Sequence, residues 1–274
     1  MIQTVQSSPL DPRLTDFVRC FAQRETSPRS VPVTQSAIAS LDSVLGFELG
    51  DPTVMNFSNG RTAYFPRAHI LGAQTSYVGH QYLHGCVLGF AIFFRPFATW
   101  QLFGIPPAEL VNDDSDAIDV FGSWVLELGD KLAEARSFSE RVLLTTNVLL
   151  GFVKFARPLA QVMSTAHRLF SVDDRVSISQ AARRSAMSIR SYERRFTNEI
   201  GLTPKTFARL MRFTRAIDLK RDRQESWLNI SQQLGYFDQM HLVRDFHTFG
   251  GDAPGRLVLP DSGSSPWPIR ARHL

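Results

Sequence analysis

The 274 residues, 43% of them hydrophobic and 20% charged, are typical of a soluble globular protein with room for two domains. Two cysteines, Cys20 and Cys86, exclude a disulfide framework and a zinc site of the Cys-x-x-Cys type. The N-terminal residues lack the uninterrupted apolar stretch of a signal peptide or a membrane span. We therefore expect a protein of the reducing cytoplasm without membrane contact.

Charge is distributed unevenly along the chain. Residues 1–170 contain 13 Lys and Arg against 15 Asp and Glu, a net charge of −2, whereas residues 171–274 contain 17 against 11, a net charge of +6. The basic C-terminal part is either a set of solvated helix faces or a surface for an anionic partner such as nucleic acid.

The segment from about Val33 to Leu110 has the pattern of short strands. Gly, Asn-Gly or Pro bounds apolar stretches such as LGFELGD, FSNGRTAYF and GCVLGFAIFF, which predicts a β-rich sandwich or barrel. From Asp119 the apolar spacing becomes helical, and a second helical pattern follows Ser137 or Ser139. Two antiparallel helices are therefore expected after the strands.

A boundary is expected at Arg157-Pro158, because the residue before a proline is disfavoured in the α conformation. We predict an N-terminal domain at residues 1–158 and a helical domain at residues 159–257. Residues 258–274 are rich in Pro, Ser and Gly and are expected to form a flexible tail.

The helical part contains an internal repeat with an offset of fifty residues. The segment SIRSYERRF, which begins at Ser188, is matched by DQMHLVRDF, which begins at Asp238. The pairs that coincide at this offset are Ser188 and Asp238, Tyr192 and Leu242, Arg194 and Arg244, Phe196 and Phe246, Gly201 and Gly251, and Pro204 and Pro254. Agreement at this many positions indicates two copies of one structural unit.

Each copy has the pattern of a helix-turn-helix unit. The first helices are expected at Ile178 to Arg184 and at Leu228 to Leu234, and a short turn separates each from a second helix capped by Ser188 or Asp238. In such units the second helix, called the recognition helix, enters the major groove of DNA with its N-terminal residues against base edges.

The exposed face of each recognition helix carries side chains suited to base edges and phosphates. Arginine can donate two hydrogen bonds to guanine, and glutamine can pair with adenine in the same bidentate manner. The candidate DNA-binding residues on these faces are Arg190, Ser191, Glu193 and Arg194 in the first unit, and Gln239, His241 and Arg244 in the second, beside the caps Ser188 and Asp238.

A linker helix is predicted between the two units, from Thr203-Pro204 to about Asp222. Its 19 residues would span roughly 28 Å, close to one turn of B-DNA at about 34 Å. One chain could thus place both recognition helices on one side of the duplex. Six basic residues lie on or just after this helix: Arg209, Arg212, Arg215, Lys220, Arg221 and Arg223. Some of them are expected to contact phosphate, and at least half are expected only to aid solubility.

These residues resemble the AraC/XylS-type transcription regulators over about Leu159 to Leu257. The most specific match is in the second unit, at Ile230-Ser231, Gly235-Tyr236, Asp238, Phe246, Gly251 and Pro254. The resemblance implies binding to double-stranded DNA, often as a dimer, and activation or repression of transcription. It places base-reading residues at Arg190, Glu193, Arg194, Gln239, Met240, Val243 and Arg244.

The sequence departs from the family pattern at three positions. Ala186 stands where a turn glycine is usual, Ser231 stands for an alanine, and Ala253 stands for the Ser or Thr cap before Pro254. The third departure predicts a weaker start of the last helix.

The N-terminal part resembles the cupin-like sensor domains of a subgroup of this family, chiefly through GFAIFFRPFATWQLFGIPPAEL at residues 89–110. The predicted fold class is therefore α+β. A β-rich, cupin-like sensor or dimerisation domain with a helical hairpin precedes an all-α domain, in which a linker helix joins two helix-turn-helix motifs.

The predicted function is a DNA-binding transcription regulator, not an enzyme, that responds to a small-molecule effector. One alternative is a regulator whose N-terminal domain only dimerises or contacts another protein, and a second is a cupin-type metal enzyme fused to a DNA-binding module. Candidate partners besides DNA are a second copy of the chain, the effector and RNA polymerase.

A cavity with convergent polar groups in the β-rich domain would favour the effector, and a filled barrel would favour dimerisation alone. No effector residue is assigned, and most of the aromatic residues are expected to form core, namely Phe47, Phe57, Tyr64, Phe65, Tyr77, Phe90, Phe93, Phe94 and Trp100. His69, His80 and His84 lie in strand and turn patterns that do not align them, so neither a metal nor a cofactor is expected.

Overall fold

The computed structural model describes residues 2–27, 31–171, 177–258 and 269–270. Its strands form two six-stranded antiparallel sheets. They are β1 (Ile2–Ser7), β2 (Val18–Thr26), β3 (Val33–Ala37), β4 (Ser43–Glu48), β5 (Val54–Phe57), β6 (Thr62–Tyr64), β7 (Ala68–Leu71), β8 (Gly79–Leu83), β9 (Leu88–Phe94), β10 (Asp114–Asp116), β11 (Leu257–Val258) and β12 (Ile269–Arg270). The first sheet has the order β1-β2-β9-β4-β7-β10 and the second the order β11-β12-β3-β8-β5-β6.

The helices lie between β9 and β11, with β10 among them. They are α1 (Ala98–Phe103), α2 (Pro107–Leu110), α3 (Ala117–Phe121), α4 (Trp124–Glu134), α5 (Phe138–Val153), α6 (Gln161–Ser171), α7 (Ile178–Arg184), α8 (Ile189–Ile200), α9 (Pro204–Arg223), α10 (Trp227–Gln233) and α11 (Gln239–Gly250). In the described parts of the chain, no helix is both long and apolar enough to cross a bilayer.

The predicted order of a β-rich part followed by helices is confirmed, but the limits of the β-rich part differ. Two strands, β1 and β2, precede Val33, and the segment after β9 forms α1 and α2 instead of strand. The first helix predicted after Asp119 is divided into α3 and α4, because Gly122, with φ 84° and ψ −171°, leaves the helical conformation. Ser137 is the cap of α5, since its side chain accepts a hydrogen bond from the Glu140 amide.

The first sheet has two different faces because side chains alternate along each strand. Leu45 and Phe47 of β4 and Ile92 of β9 belong to an apolar core that includes Val125, Leu128 and Leu132 of α4 and Val142 and Leu149 of α5. Burial of each large side chain contributes about 1.5–3 kcal/mol. The helices therefore cover this face and leave the opposite face, with Val44, Gly46 and Glu48, directed toward the second sheet.

The β-rich part and the helical part share one apolar core. Ala39, Leu41 and Phe97 lie in the same cluster of buried residues as Phe207 and Phe213 of α9. The rings of Phe97 and Phe207 stack with their centroids 6.0 Å apart. The two parts are therefore packed against each other through their interiors and not only through surface contacts.

Both α8 and α11 end against the β-rich part. The last carbonyl groups of a helix lack partners within the helix, and in α11 those of Thr248 and Phe249 accept hydrogen bonds from the Tyr77 and Ala39 amides at 2.9 and 2.8 Å. At the end of α8, a Cβ atom on Gly201 would lie 2.8 Å from Ala108 of α2 and 2.7 Å from Val111, which follows α2.

The predicted tail is described only in part. Val258 lies in β11 and residues 269–270 form β12, which pairs with β11 and, at Ile269, with Gln35 of β3. Residues 259–268 and 271–274, where flexibility was expected, lie outside the described residues.

The close contact at the end of α11 predicts opposite effects for two glycine-to-alanine substitutions. Gly251 has φ +78°, and a Cβ atom there would lie 2.6 Å from the Tyr77 ring. We expect Gly251→Ala to lower the free energy of unfolding by at least about 1–2 kcal/mol. Gly151→Ala, on an open face of α5, should raise it by about 0.5–1 kcal/mol. Urea unfolding measures both, and equal effects would contradict the contact.

Candidate nucleic-acid interface and ligand cavity

The structure contains both predicted helix-turn-helix units. The first unit consists of α7 and α8, and the second consists of α10 and α11. The Ser188 hydroxyl accepts from the Ser191 amide at 3.2 Å, and Asp238 Oδ1 accepts from the His241 amide at 2.7 Å. Each recognition helix therefore begins at the predicted cap.

The recognition helices bury the predicted positions of the repeat. Tyr192 and Phe196 of α8 and Leu242 and Phe246 of α11 are all fully buried. Ile189 does not share this burial, since 49% of it is exposed. It lies at the first position of α8, where the helix has not yet reached the core.

The candidate DNA-binding residues lie on the opposite, exposed side of the same helices. The exposed ones are Ser188, Arg190, Ser191, Glu193, Arg194, Asp238, Gln239, Met240, His241 and Arg244, and Val243 is half-buried. Each unit thus presents a mainly polar surface around the start of its recognition helix, which also includes the exposed apolar side chains of Ile189 and Met240. Such a surface is suited to contact with a groove.

One candidate is already engaged within the second unit. Nδ1 of His241 lies 2.7 Å from Asp238 Oδ1, and the hydrogen bonds from the His241 amide and ring lower the pKa of Asp238. His241 can therefore offer only its other ring nitrogen to DNA in this arrangement. Beside it, Phe237 is 91% exposed, a position that the sequence analysis did not assign to the interface.

The turns of the two units have the same conformation with different residues. Gly235 has φ 66° in the second unit, and Ala186 has φ 52° in the first. Alanine rarely adopts this left-handed conformation, which costs about 1–2 kcal/mol. Ala186 therefore adopts a left-handed φ close to that of Gly235 in the other turn.

Most basic residues of the linker helix α9 make contacts inside the protein. Arg209 donates two hydrogen bonds to Asp245 of α11, at 2.7 and 3.0 Å, and its guanidinium also lies 5.1 Å from the Phe249 ring centroid. Arg212 lies over Tyr236, Lys220 donates to the Glu225 carbonyl, and Arg221 pairs with Asp218. Arg209, Arg212 and Lys220 therefore hold the second unit on α9, a role that their positions in the sequence did not reveal, whereas the Arg221 pair lies within α9.

The β-rich domain is not a filled barrel. A cavity of about 130 Å³ lies between its two sheets and extends to α9. Ala91 and Phe93 of the first sheet and Ala37 of the second provide apolar walls, and Ile217 of α9 closes one side. Of the predicted aromatic residues, Phe93 lines this cavity, whereas Phe47, Phe90 and Phe94 belong to the core under the helices.

A buried polar network forms the inner end of the cavity. Arg24 of β2 contacts Gln81, donates to Glu48 at 3.2 Å and donates to Thr53 at 3.1 Å. Burial lowers the pKa of Arg24, and Glu48 opposes this change. The register of the first sheet places Gly89 between Arg24 and Glu48, where a Cβ atom would lie only 3.0 Å from Arg24 Nε.

The outer end of the cavity carries two further ion pairs. Arg19 pairs with Asp42, and Arg221 of α9 pairs with Asp218 at 2.7 Å. The sequence pattern did not indicate that these residues, or those of the inner network, line a cavity. Glu48 did carry a signal, because it is a charged residue within the apolar stretch LGFEL, whereas Arg24 lies between Gln23 and Glu25 and does not stand out.

The three histidines do not come together. His69 is buried and stacks on Phe65 with ring centroids 4.2 Å apart, His80 contacts the Tyr77 hydroxyl, and His84 is exposed. Among the described residues, no group of three potential metal ligands occurs.

Two family models match parts of the chain. Residues 181–258 match a helix-turn-helix domain, and residues 7–116 match a domain of unknown function. The comparison with curated proteins finds no match.

Solved structures with similarity to the chain include ToxT from Vibrio cholerae. An apo ToxT variant is 10% identical with a TM-score of 0.50, and the alignment covers 86% of this chain and 95% of that chain. ToxT bound to an unsaturated fatty acid is 10% identical with a TM-score of 0.46, covering 93% and 92%. The AraC-like transcriptional activator CuxR is 12% identical with a TM-score of 0.30, covering 79% and 86%.

The paired helix-turn-helix units and the match over residues 181–258 define the class of the protein as a DNA-binding regulator with a C-terminal helix-turn-helix domain. A β-rich domain precedes these units, so the chain has the two-part fold of ToxT.

The contact between α9 and α11 predicts a measurable coupling between two side chains. Asp245 is 7% exposed and Arg209 is 34% exposed, so their ion pair is partly shielded from water. In a double-mutant cycle with Arg209→Met and Asp245→Asn, we expect a coupling free energy of about 1–2 kcal/mol. The exposed pair Arg195 and Glu199 of α8 is the control and should give about 0.3–0.5 kcal/mol. Equal coupling in both cycles would contradict the positioning role.

Proposed function

We propose that the protein reads two successive major-groove segments with α8 and α11 and changes its DNA affinity when a small molecule occupies the cavity beside α9. The observation that carries this proposal is the position of the cavity. Its walls include the segment Ser36 to Ser40 and the helix α9, and both of these contact the helix-turn-helix units.

The proposed base contacts follow from exposure and chemistry. Arg190 and Arg194 in α8 and Gln239 and Arg244 in α11 have the donors for bidentate pairing with guanine or adenine. Glu193, Met240 and Val243 complete the proposed reading surface, on which apolar side chains suit a thymine methyl group. The linker helix α9 has 20 residues, or about 30 Å, which supports placement of both recognition helices on one face of the duplex.

The proposed response to an effector depends on two walls that also hold the recognition helices. Ala39 lines the cavity while its amide donates to the Phe249 carbonyl at the end of α11. Ile217 and Arg221 of α9 line the opposite side. A molecule that fits between these walls would have a higher affinity for one relative placement of the two helix-turn-helix units than for another. Such a difference in affinity is required for coupling between the cavity and the DNA-binding surface.

Homodimer formation, contact with RNA polymerase, a cytoplasmic location and the domain limits at residues 158 and 257 stay predictions. The fatty acid found in ToxT supports a small-molecule effector for this chain only by analogy. The alternative of an N-terminal domain that serves dimerisation alone is less favoured, because the cavity contains convergent polar groups.

The base contacts can be tested by selection from random DNA. Arg194→Ala and Arg244→Ala should each weaken binding to the selected motif by about 1–3 kcal/mol, since a bidentate contact is lost. Arg136→Ala, which removes an exposed arginine before α5, is the matched control and should select like the wild type. If the wild type enriches no motif, or if neither substitution affects the enrichment, the assigned contacts are wrong.

The effector site can be tested by filling the cavity from its two sides. Compounds are screened for a change in the affinity of the wild type for its selected DNA, for which we expect a factor of about 5–150. Val44→Trp and Ile217→Trp should remove this response and retain DNA binding, because both residues line the cavity. Leu143→Trp, on an exposed face of α5, should respond normally. A response that persists in both filled variants would place the effector elsewhere.

A further inference from the structure

The charged residues around the cavity occur in equal numbers of each sign. Among the described residues that line it, three are arginines and three are carboxylates. Each arginine has a carboxylate partner, and the pairs are Arg24 with Glu48, Arg19 with Asp42, and Arg221 with Asp218. The lining residues therefore have no net charge once His69 is neutral.

The histidine in the lining adds no positive charge at neutral pH. His69 is buried, and burial lowers its pKa below the ordinary value. Its Nδ1 lies 3.3 Å from the Pro66 carbonyl oxygen, which can only accept, so the proton of the neutral ring resides on Nδ1. The other ring nitrogen, Nε2, is then an acceptor, and no partner for it occurs within the described parts of the chain.

An anionic ligand would lose its hydration in this cavity without a net electrostatic gain. Wherever its carboxylate approached an arginine, it would also approach the aspartate or glutamate bound to that arginine. Desolvation of a charge is costly unless an opposite charge compensates it. A cationic ligand would also lose its hydration without a net electrostatic gain, because the arginine beside each carboxylate would repel it.

An uncharged ligand avoids this cost and gains from the apolar walls. Ala37, Ala91, Phe93 and Ile217 provide apolar contact along the cavity, and Gly46 leaves space for the His69 ring. The cavity volume of about 130 Å³ is close to that of an engineered cavity of about 150 Å³ that binds benzene. A hydroxyl or N–H group on such a ligand could donate to His69 Nε2.

We propose that the effector of this protein is an uncharged, mainly apolar molecule of about one-ring size that carries a hydroxyl or N–H donor. The proposal rests on the proposed function, because it names the ligand class of the same cavity. The class excludes carboxylic acids, which are anionic at neutral pH.

The test compares alcohols with the carboxylates of the same carbon skeleton. The full-length protein is titrated with benzyl alcohol and benzoate, 3-phenylpropan-1-ol and 3-phenylpropanoate, and octan-1-ol and octanoate, and binding is measured by calorimetry and by the rise in melting temperature. We expect at least one alcohol to bind about tenfold or more tightly than its carboxylate. Val44→Trp should abolish this binding.

Removal of one carboxylate partner should reverse the preference. In Asp42→Asn, Arg19 loses its partner and the cavity gains a net positive charge, so the affinity for the carboxylates should rise by about tenfold while the affinity for the alcohols stays unchanged. Glu48→Gln is the second variant. It removes the carboxylate partner of Arg24 at the inner end of the cavity and should likewise raise the affinity for the carboxylates. Asp119→Asn, an exposed aspartate of α3, is the matched control and should change neither affinity.

The outcomes separate the two proposals. If a carboxylate binds the wild type as tightly as its alcohol, and Asp42→Asn and Glu48→Gln leave both affinities unchanged, the uncharged class is wrong and the cavity remains an effector site. If no compound of either kind binds and the DNA affinity of the wild type responds to none, the inference fails together with the proposed effector site.

Discussion

The packing of the β-rich domain against the ends of α8 and α11 is the interaction on which the rest of the structure depends. Two amides of the β-rich domain cap the last carbonyls of α11, and Gly201 and Gly251 allow the two domains to approach closely. The apolar core continues from Ala39 and Phe97 into α9. The orientation of the helix-turn-helix units is therefore coupled to the shape of the β-rich domain.

This coupling gives the cavity its significance. A cavity inside one domain could be filled without consequence for the other domain, but here α9 and the segment Ser36 to Ser40 form parts of its wall. The same α9 carries Arg209, whose ion pair with Asp245 holds α11. A change at the cavity can thus reach both recognition helices through contacts that are already present, without an additional moving element.

The helical domain could be predicted well from the sequence, because its signals are local. A cap, a buried aromatic position and a turn residue recur at an offset of fifty residues, and each determines structure within a few positions of itself. Ile189 and Ala186 were harder to interpret. The exposure of Ile189 depends on where the helix begins relative to the core, and the left-handed conformation of Ala186 is not typical of alanine.

The cavity could not be predicted, because it is formed by residues that are distant in the chain. Arg24, Glu48 and Gln81 meet only when β2, β4 and β8 are placed in two facing sheets, and strand order is not encoded by a local pattern. Likewise, the basic residues of α9 were expected partly at phosphate groups. Their partners Asp245, Tyr236 and Glu225 are contributed by elements that fold back onto the helix.

Hydrogen exchange of the full-length protein, followed by mass spectrometry, tests whether the β-rich domain is packed against the end of α11. The amides of Ala39 and Tyr77 are bound to the end of α11, so they can exchange only when the two domains separate or unfold. We predict slow exchange at both amides in the wild type, and accelerated exchange at both in Gly251→Ala. Fast exchange at both amides in the wild type, with the strands of the β-rich domain still protected, would contradict this packing.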